Sequence, residues 1–299
     1  MHTKVWATIK PVVQALVCQR HITLKRGLQL SLTQAHLQKR ITMDIFYTIL
    51  LLVLGLAIGS FLNVIIFRMD ELRTILYDRS HCPKCKKILK WYDLIPFLSF
   101  VMLRAKCRYC GKGISFQYPI VELCTGLLFV FLFMFFGISW ALIVYLIIFC
   151  ILVVVFVYDL KTQTVPEIFV WIALVLSAAF GWYFGHFGWI EMILGALVSG
   201  GFLAILVLVS REKWMGAGDI KIGLILGFLL GYPTALLSMF LAFVLGSVIG
   251  VLYVFIKNKS LKREYLKESL PFAPFLILAA LIGLTYGPAI VSWYTGGLY

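Results

Sequence analysis

The sequence predicts an all-α polytopic membrane protein of about eight transmembrane helices, on three observations. Of its 299 residues, 62% are hydrophobic, whereas a soluble domain is about 45–50% apolar because it must cover its core. The apolar residues come in long blocks rather than at amphipathic spacing, and a run of about 18 or more reads as a membrane-crossing helix. Beyond residue 44, the basic residues collect in four segments separated by turns that carry none.

Eight apolar runs fit spans, at about 45–67, 120–137, 139–158, 167–185, 190–210, 220–232, 234–256 and 272–295. The sixth is short and carries Gly223, Gly227 and Gly231, so a tilted, half-buried or re-entrant course is open to it. The four basic segments are the loop after span one, Lys161 after span three, Arg211 to Lys221 between spans five and six, and Lys257 to Lys267 between spans seven and eight. Positive charge is retained on the cytoplasmic side. An eight-span chain whose first helix enters from outside puts all four there.

The first 42 residues break that rule, with Lys4, Lys10, Arg20, Lys25, Arg26, Lys39 and Arg40 and no acid. The apolar stretch Val12–Val17 is too short for a signal-peptide core. The expectation is that the natural chain begins at Met43; N-terminal sequencing of the membrane-purified protein tests it. The chain then reads as an extension over 1–42, a first span over 43–67, a loop over 68–119 and a core of about seven helices over 120–299. The net charge of +14 is read as topology signal and attraction to anionic lipid headgroups. No basic stretch is interleaved with stacking aromatics, so no nucleic-acid partner is expected.

The long loop holds Cys82-Pro-Lys-Cys85 and, 21 residues later, Cys107-Arg-Tyr-Cys110. Two such knuckles each aim two sulfurs at one ion, and together they complete a tetrahedral four-thiolate zinc site. Gly111 and Gly113 suit the tight turns. Disulfides are the competing reading, and a reducing cytosolic loop weighs against them. The zinc-ribbon-like site has the composition of a structural one, since a catalytic zinc keeps an open position and His81 is the only histidine nearby. It would staple a loop of about 50 residues with little core of its own. Cys18, Cys124 and Cys150 form no pattern with it.

A carboxylate at the bilayer centre costs roughly 2.5–3.5 kcal/mol on insertion scales, so acids near span ends are informative. Glu122, Asp159, Glu167 and Asp219 lie there, around the expected cytoplasmic face. Asp159 ends an apolar run, and Asp219 sits in Trp214-Met-Gly-Ala-Gly-Asp-Ile-Lys221. Gly216 and Gly218 leave room for close backbone approach there, with Lys221 just beyond. Two carboxylates brought together supply an acid and a base, able to activate water against a peptide carbonyl and protonate the leaving nitrogen. Each taken alone is as readily a solvated interfacial aspartate or a helix cap.

These residues resemble a known family, the type IV prepilin leader peptidases. Gly59-Ser-Phe-Leu-Asn-Val-Ile-Ile-Phe-Arg68, the two knuckles, Pro96-Phe-Leu-Ser99, Tyr118-Pro-Ile-Val-Glu122, Asp159 with Val165-Pro166, Gly216-Ala-Gly-Asp-Ile-Lys221 and Pro271-Phe-Ala-Pro-Phe-Leu276 occur in its order. The resemblance covers about residues 45–295 and implies a Gly-x-Gly-Asp aspartic endopeptidase of the bacterial inner membrane. Such an enzyme removes the basic leader of prepilins or pseudopilins at the cytoplasmic face, with Asp159 and Asp219 as the catalytic pair. It further implies methylation of the new N-terminal amine from S-adenosylmethionine. Asn63 and Glu122 are the candidates for that cofactor, although helix–helix hydrogen bonding explains both equally well. Trp214, Ala273 and Glu167 depart from the family's commoner residues without removing a catalytic group.

The rival of another class is a proton-coupled transporter, since paired intramembrane acids also mark ion pathways. It predicts internal repeats with matching broken helices, and the two halves of this sequence lack them. A scaffold with a dead site, or a protease with another substrate, also fits the composition. The oligomeric state has no signature in the sequence.

Overall fold

The computed structural model describes residues 43–69, 80–184, 188–258 and 271–296, so the basic extension 1–42 lies outside the described residues. Two compact units are distinguished, Met1–Leu51 and Leu52–Tyr299, with the boundary inside the first helix. Of the first unit the structure describes only the opening turns of that helix, where the Thr48 hydroxyl donates to the Asp44 carbonyl at 2.7 Å.

Among the described residues eight apolar helices form near the expected places. They are α1 (Met43–Phe67), α2 (Gln117–Phe136), α3 (Trp140–Thr162), α4 (Glu167–Phe184), α5 (Trp189–Ser210), α6 (Ala217–Leu230), α7 (Thr234–Asn258) and α8 (Ala273–Tyr294). Among the described residues no strand forms beyond two isolated bridges. Among the described residues six of the helices are long and apolar enough to cross a membrane, and α6 is shorter than these. At about 1.5 Å per residue the 14 residues of α6 reach only about 21 Å, against about 30 Å of hydrocarbon. Among the described residues six full spans are counted by length and composition, so the number eight is not confirmed.

Local chemistry sets the ends. Ser139 caps α3 by accepting the Leu142 N–H at 3.1 Å. Gln163, in left-handed conformation at φ 53, ends it and donates to the Asp159 carbonyl. Gly231 at φ 65 stops α6 by donating to the Gly227 carbonyl at 2.9 Å. Hydropathy placed this helix from about residue 220, but it begins at Ala217, so the charged Asp219 lies within its first turn.

The short helix α6 is the centre of the second unit, packing on α4, α5, α7 and α8. Ile222, Ile225 and Leu226 are fully buried in it. Its tightest partner is α5, and small residues make that approach possible. A Cβ on Gly195 would lie 2.8 Å from the Gly231 carbonyl carbon, and one on Gly227 would meet the backbone of Ala196. The Ser199 hydroxyl reaches the carbonyls of Gly195 at 2.6 Å and Gly223 at 2.7 Å. Within the same unit α2 lies as close to the later turns of α1, where a Cβ on Gly59 would come 2.8 Å from the Glu122 Cα. Large apolar side chains such as Phe61, Ile147, Val175, Ile205 and Phe240 remain exposed. On a helix of this length and apolarity they face lipid.

Candidate active site and four-cysteine centre

Three helix ends meet at the aspartates. Asp159 lies one turn from the end of α3 and is buried, 4% exposed. Its carboxylate accepts the backbone N–H of Ala273, the first residue of α8. Asp219 is 6% exposed and occupies the third position of α6, where it accepts the N–H of Gly216, the residue that caps the helix. The two carboxylates interact electrostatically. Unpaired amides and the helix dipole at an N-terminus favour a carboxylate there. Each acid therefore draws on the N-terminus of a different helix.

The glycines beside Asp219 differ in their surroundings. A Cβ on Gly218 would lie 2.7 Å from both Cβ and Cγ2 of Val165, in the turn joining α3 to α4. A Cβ on Gly216 would find its nearest neighbour at 4.0 Å. Lys221 forms its ion pair with Glu167 at 2.9 Å and lies 5.0 Å over the Trp171 ring. It thus ties α6 to the start of α4. The contribution of Ala273 had no side-chain signature, because its backbone N–H carries it.

Glu122 and Asn63 sit on adjoining faces of α2 and α1, in two rungs one helical turn apart. Glu122 accepts the Phe97 N–H at 2.8 Å and a hydrogen bond from the Ser60 side chain. Asn63, 1% exposed, donates from Nδ2 to the Tyr118 carbonyl at 3.1 Å. Its Oδ1 is buried without a partner. The Tyr118 ring stacks on Phe67 at 4.8 Å, and the Lys161 ammonium lies 3.9 Å from the Phe67 ring centroid. This stack links α1 and α2 to the end of α3, two residues past Asp159.

In the loop, the sulfurs of Cys82, Cys85, Cys107 and Cys110 all lie within 4.8 Å of one another. The two knuckles share one construction. His81 bridges Ile88 and Lys106 bridges Gly113. Cys82 N–H donates to the Lys87 carbonyl, and Cys107 N–H to that of Lys112. At the equivalent position of each turn stand Lys86 at φ 59 and Gly111 at φ 69, a left-handed conformation that glycine adopts freely and lysine at a cost. Gly113 has no such conformation. Burial opposes charge on the Cys82 thiol, but backbone amides of Cys85 and Lys84 and the neighbouring sulfurs outweigh it and bring it down to about 7. A quartet of this size with an acidified thiol fits a four-coordinate metal, and His81 is not part of it.

The loop carries one further tie that the sequence did not single out. The Asp93 carboxylate accepts from the Lys90 N–H, from Arg108 Nε at 2.8 Å and from the Tyr109 hydroxyl at 3.0 Å. It fastens the 3-10 turn Trp91–Leu94 to the second knuckle. Burial of Asp93 works against its charge, yet the bonds from Arg108, Tyr109 and Lys90 hold its carboxyl below the usual carboxylate range.

Comparison with known proteins follows the same division. Residues 53–136 match the Bacterial Peptidase A24 N-terminal domain, and residues 146–251 match the Type IV leader peptidase family. The chain is 32% identical over 252 residues to a prepilin leader peptidase/N-methyltransferase of Bacillus subtilis (strain 168), covering 82% of this chain and 96% of that protein. It is 36% identical over 212 residues to the protein of that name from Myxococcus xanthus (strain DK1622), covering 69% and 63%. For the Legionella pneumophila protein the figures are 28% over 276 residues, 81% and 92%. No solved structure matches.

Proposed function

The chain belongs to the type IV leader peptidase family, and from that premise we propose that it cleaves the leader from type IV prepilins or pseudopilins, with Asp159 and Asp219 as the catalytic pair. The observation that carries the proposal is the juxtaposition of two buried carboxylates, each anchored by an N-terminal amide of a different helix. One carboxylate takes a proton from water, and the resulting hydroxide adds to the scissile carbonyl. The partner, as the carboxylic acid, gives its proton to the amide nitrogen as the C–N bond breaks. A prepilin has a basic leader followed by an apolar helix, so its cut point lies where that helix leaves the bilayer. The position of Asp159, one turn from the end of a membrane-length helix, supports this reading. The basic loops support a cytoplasmic position for this end of the chain, at the bacterial inner membrane. A proton-coupled transporter is not favoured, because the relatives compared are named for peptidase and methyltransferase activity.

Cys82, Cys85, Cys107 and Cys110 would hold zinc in a structural role, since four protein thiolates would leave the ion no open position. The relatives' names also carry N-methylation to this chain, with the new N-terminal amine as acceptor. S-adenosylmethionine, when bound, supplies the methyl group. Asn63, whose buried Oδ1 lacks a partner, fits a hydrogen-bond acceptor for it. Glu122 is already engaged by Phe97 and Ser60 and serves first to position the loop.

The test is Asp159→Asn and Asp219→Asn in membranes incubated with a prepilin, read by mass loss at the leader. Neither variant cleaves, and both keep wild-type zinc content and thermal stability. Retained cleavage in either one ends the assignment of the pair.

A further inference from the structure

The five-residue helix Leu98–Met102 follows Phe97, whose backbone stands at φ 60, ψ −48. The Phe97 N–H is the one held by Glu122 at 2.8 Å. Glu122 is the sixth residue of α2, so about 7.5 Å of helix axis separates it from that helix's first residue. The loop backbone is therefore tied level with the second turn of a membrane-length helix. On its other side Phe100 meets Phe116 edge-on at 5.4 Å, just before α2 begins.

The face left over is apolar. Leu98, Val101 and Met102 stand at i, i+3 and i+4 and are 58%, 55% and 79% exposed. A helix facing water would show the opposite pattern. Trp91, at 77% exposure, and Leu94 precede it on the same segment. Exposed cations bracket the stretch, Lys90 at one end and Arg104 and Lys106 at the other. Tryptophan concentrates at the level of the headgroups, and lysines and arginines there attract anionic lipid.

We propose that Trp91–Met102 lies in the membrane interface, with Leu98, Val101 and Met102 in the acyl boundary and the bracketing cations on anionic headgroups. Lipid is the occupant because the segment is hydrogen-bonded level with the second turn of a membrane-length helix, lies in the chain between two such helices, and sets exposed cations beside its exposed apolar face. The four-cysteine centre, which starts five residues past Met102 on one side, is thereby held against the bilayer rather than free in solution. This placement stands whether or not the catalytic assignment does.

The experiment places the photoreactive residue benzoylphenylalanine at Met102, and separately at Leu98, in the full chain. The protein is reconstituted in nanodiscs of mixed phosphatidylglycerol and phosphatidylcholine, irradiated, and read by intact mass. Both positions form lipid adducts, whereas the same probe at the exposed Lys112 does not. Phosphatidylglycerol adducts exceed its share of the mixture by about fivefold, the attraction of one cation at a charged surface. Adducts at the bulk lipid ratio would overturn the headgroup contact. Adducts to a second copy or to added prepilin, or no adducts, would overturn the placement itself, provided zinc content matches the wild type.

Discussion

Gly218→Ala tests the geometry of the aspartate pair more sharply than removal of either acid. The new methyl carbon would sit 2.7 Å from two carbons of Val165, and carbon atoms in contact settle at about 3.5–4.0 Å. Either the start of α6 or the turn after α3 must therefore move by about 1 Å. Asp219 is the next residue on one side of that contact, and Asp159 lies six residues before Val165 on the other. Displacement of reacting groups by about 1 Å can cost about 100-fold in rate, and overpacking costs about 1–3 kcal/mol in stability. Gly216→Ala is the control, with its nearest neighbour at 4.0 Å and an ordinary φ of −80. In a reconstituted cleavage assay Gly218→Ala loses about two orders of magnitude in kcat, while Gly216→Ala stays within a few-fold of wild type. Equal losses in the two variants, or a fully active Gly218→Ala, would refute the reasoning.

Cys107→Ser removes one of four sulfurs, so bound zinc and protease resistance of the loop fall together; full zinc stoichiometry by metal analysis contradicts the quartet. Gly227→Ala drives a methyl into the Ala196 backbone and lowers stability by at least about 1–3 kcal/mol, read as a drop in Tm in detergent. Asp93 gives a pH signature. Its folded carboxyl is held below the ordinary value, so its contribution is complete above about pH 4, the ordinary value of a free aspartate, and vanishes as pH falls through the folded one. The stability gap between wild type and Asp93→Asn is thus constant from neutral pH to about 5 and closes below about pH 4; a gap that widens on acidification would contradict the tie.

Much of this was legible in the sequence because it is written in side chains. Apolar runs mark the helices, the Cys-x-x-Cys spacing brings four sulfurs together, and acids at the ends of apolar runs stand out. What was hidden is carried by backbone. The Ala273 amide that holds Asp159 looks in sequence like any apolar residue, and the N–H of Phe97 becomes a donor to Glu122 only in its unusual conformation. The start of α6 was misplaced because hydropathy treats Asp219 as an interruption, whereas in its first turn that charge satisfies the helix's own amide. Gly216 and Gly218 look equivalent in the sequence, and only the fold brings Val165 against one of them. Asp93 was overlooked because Arg108 and Tyr109 reach it only once the second knuckle has closed.

The amide that seats Asp159 belongs to α8, more than a hundred residues along the chain from the acid it holds. A nascent chain with α3 and α6 already inserted carries both acids but not that donor. On the proposed assignment of the pair, a chain shortened before α8 would keep both carboxylates and leave Asp159 without its seat.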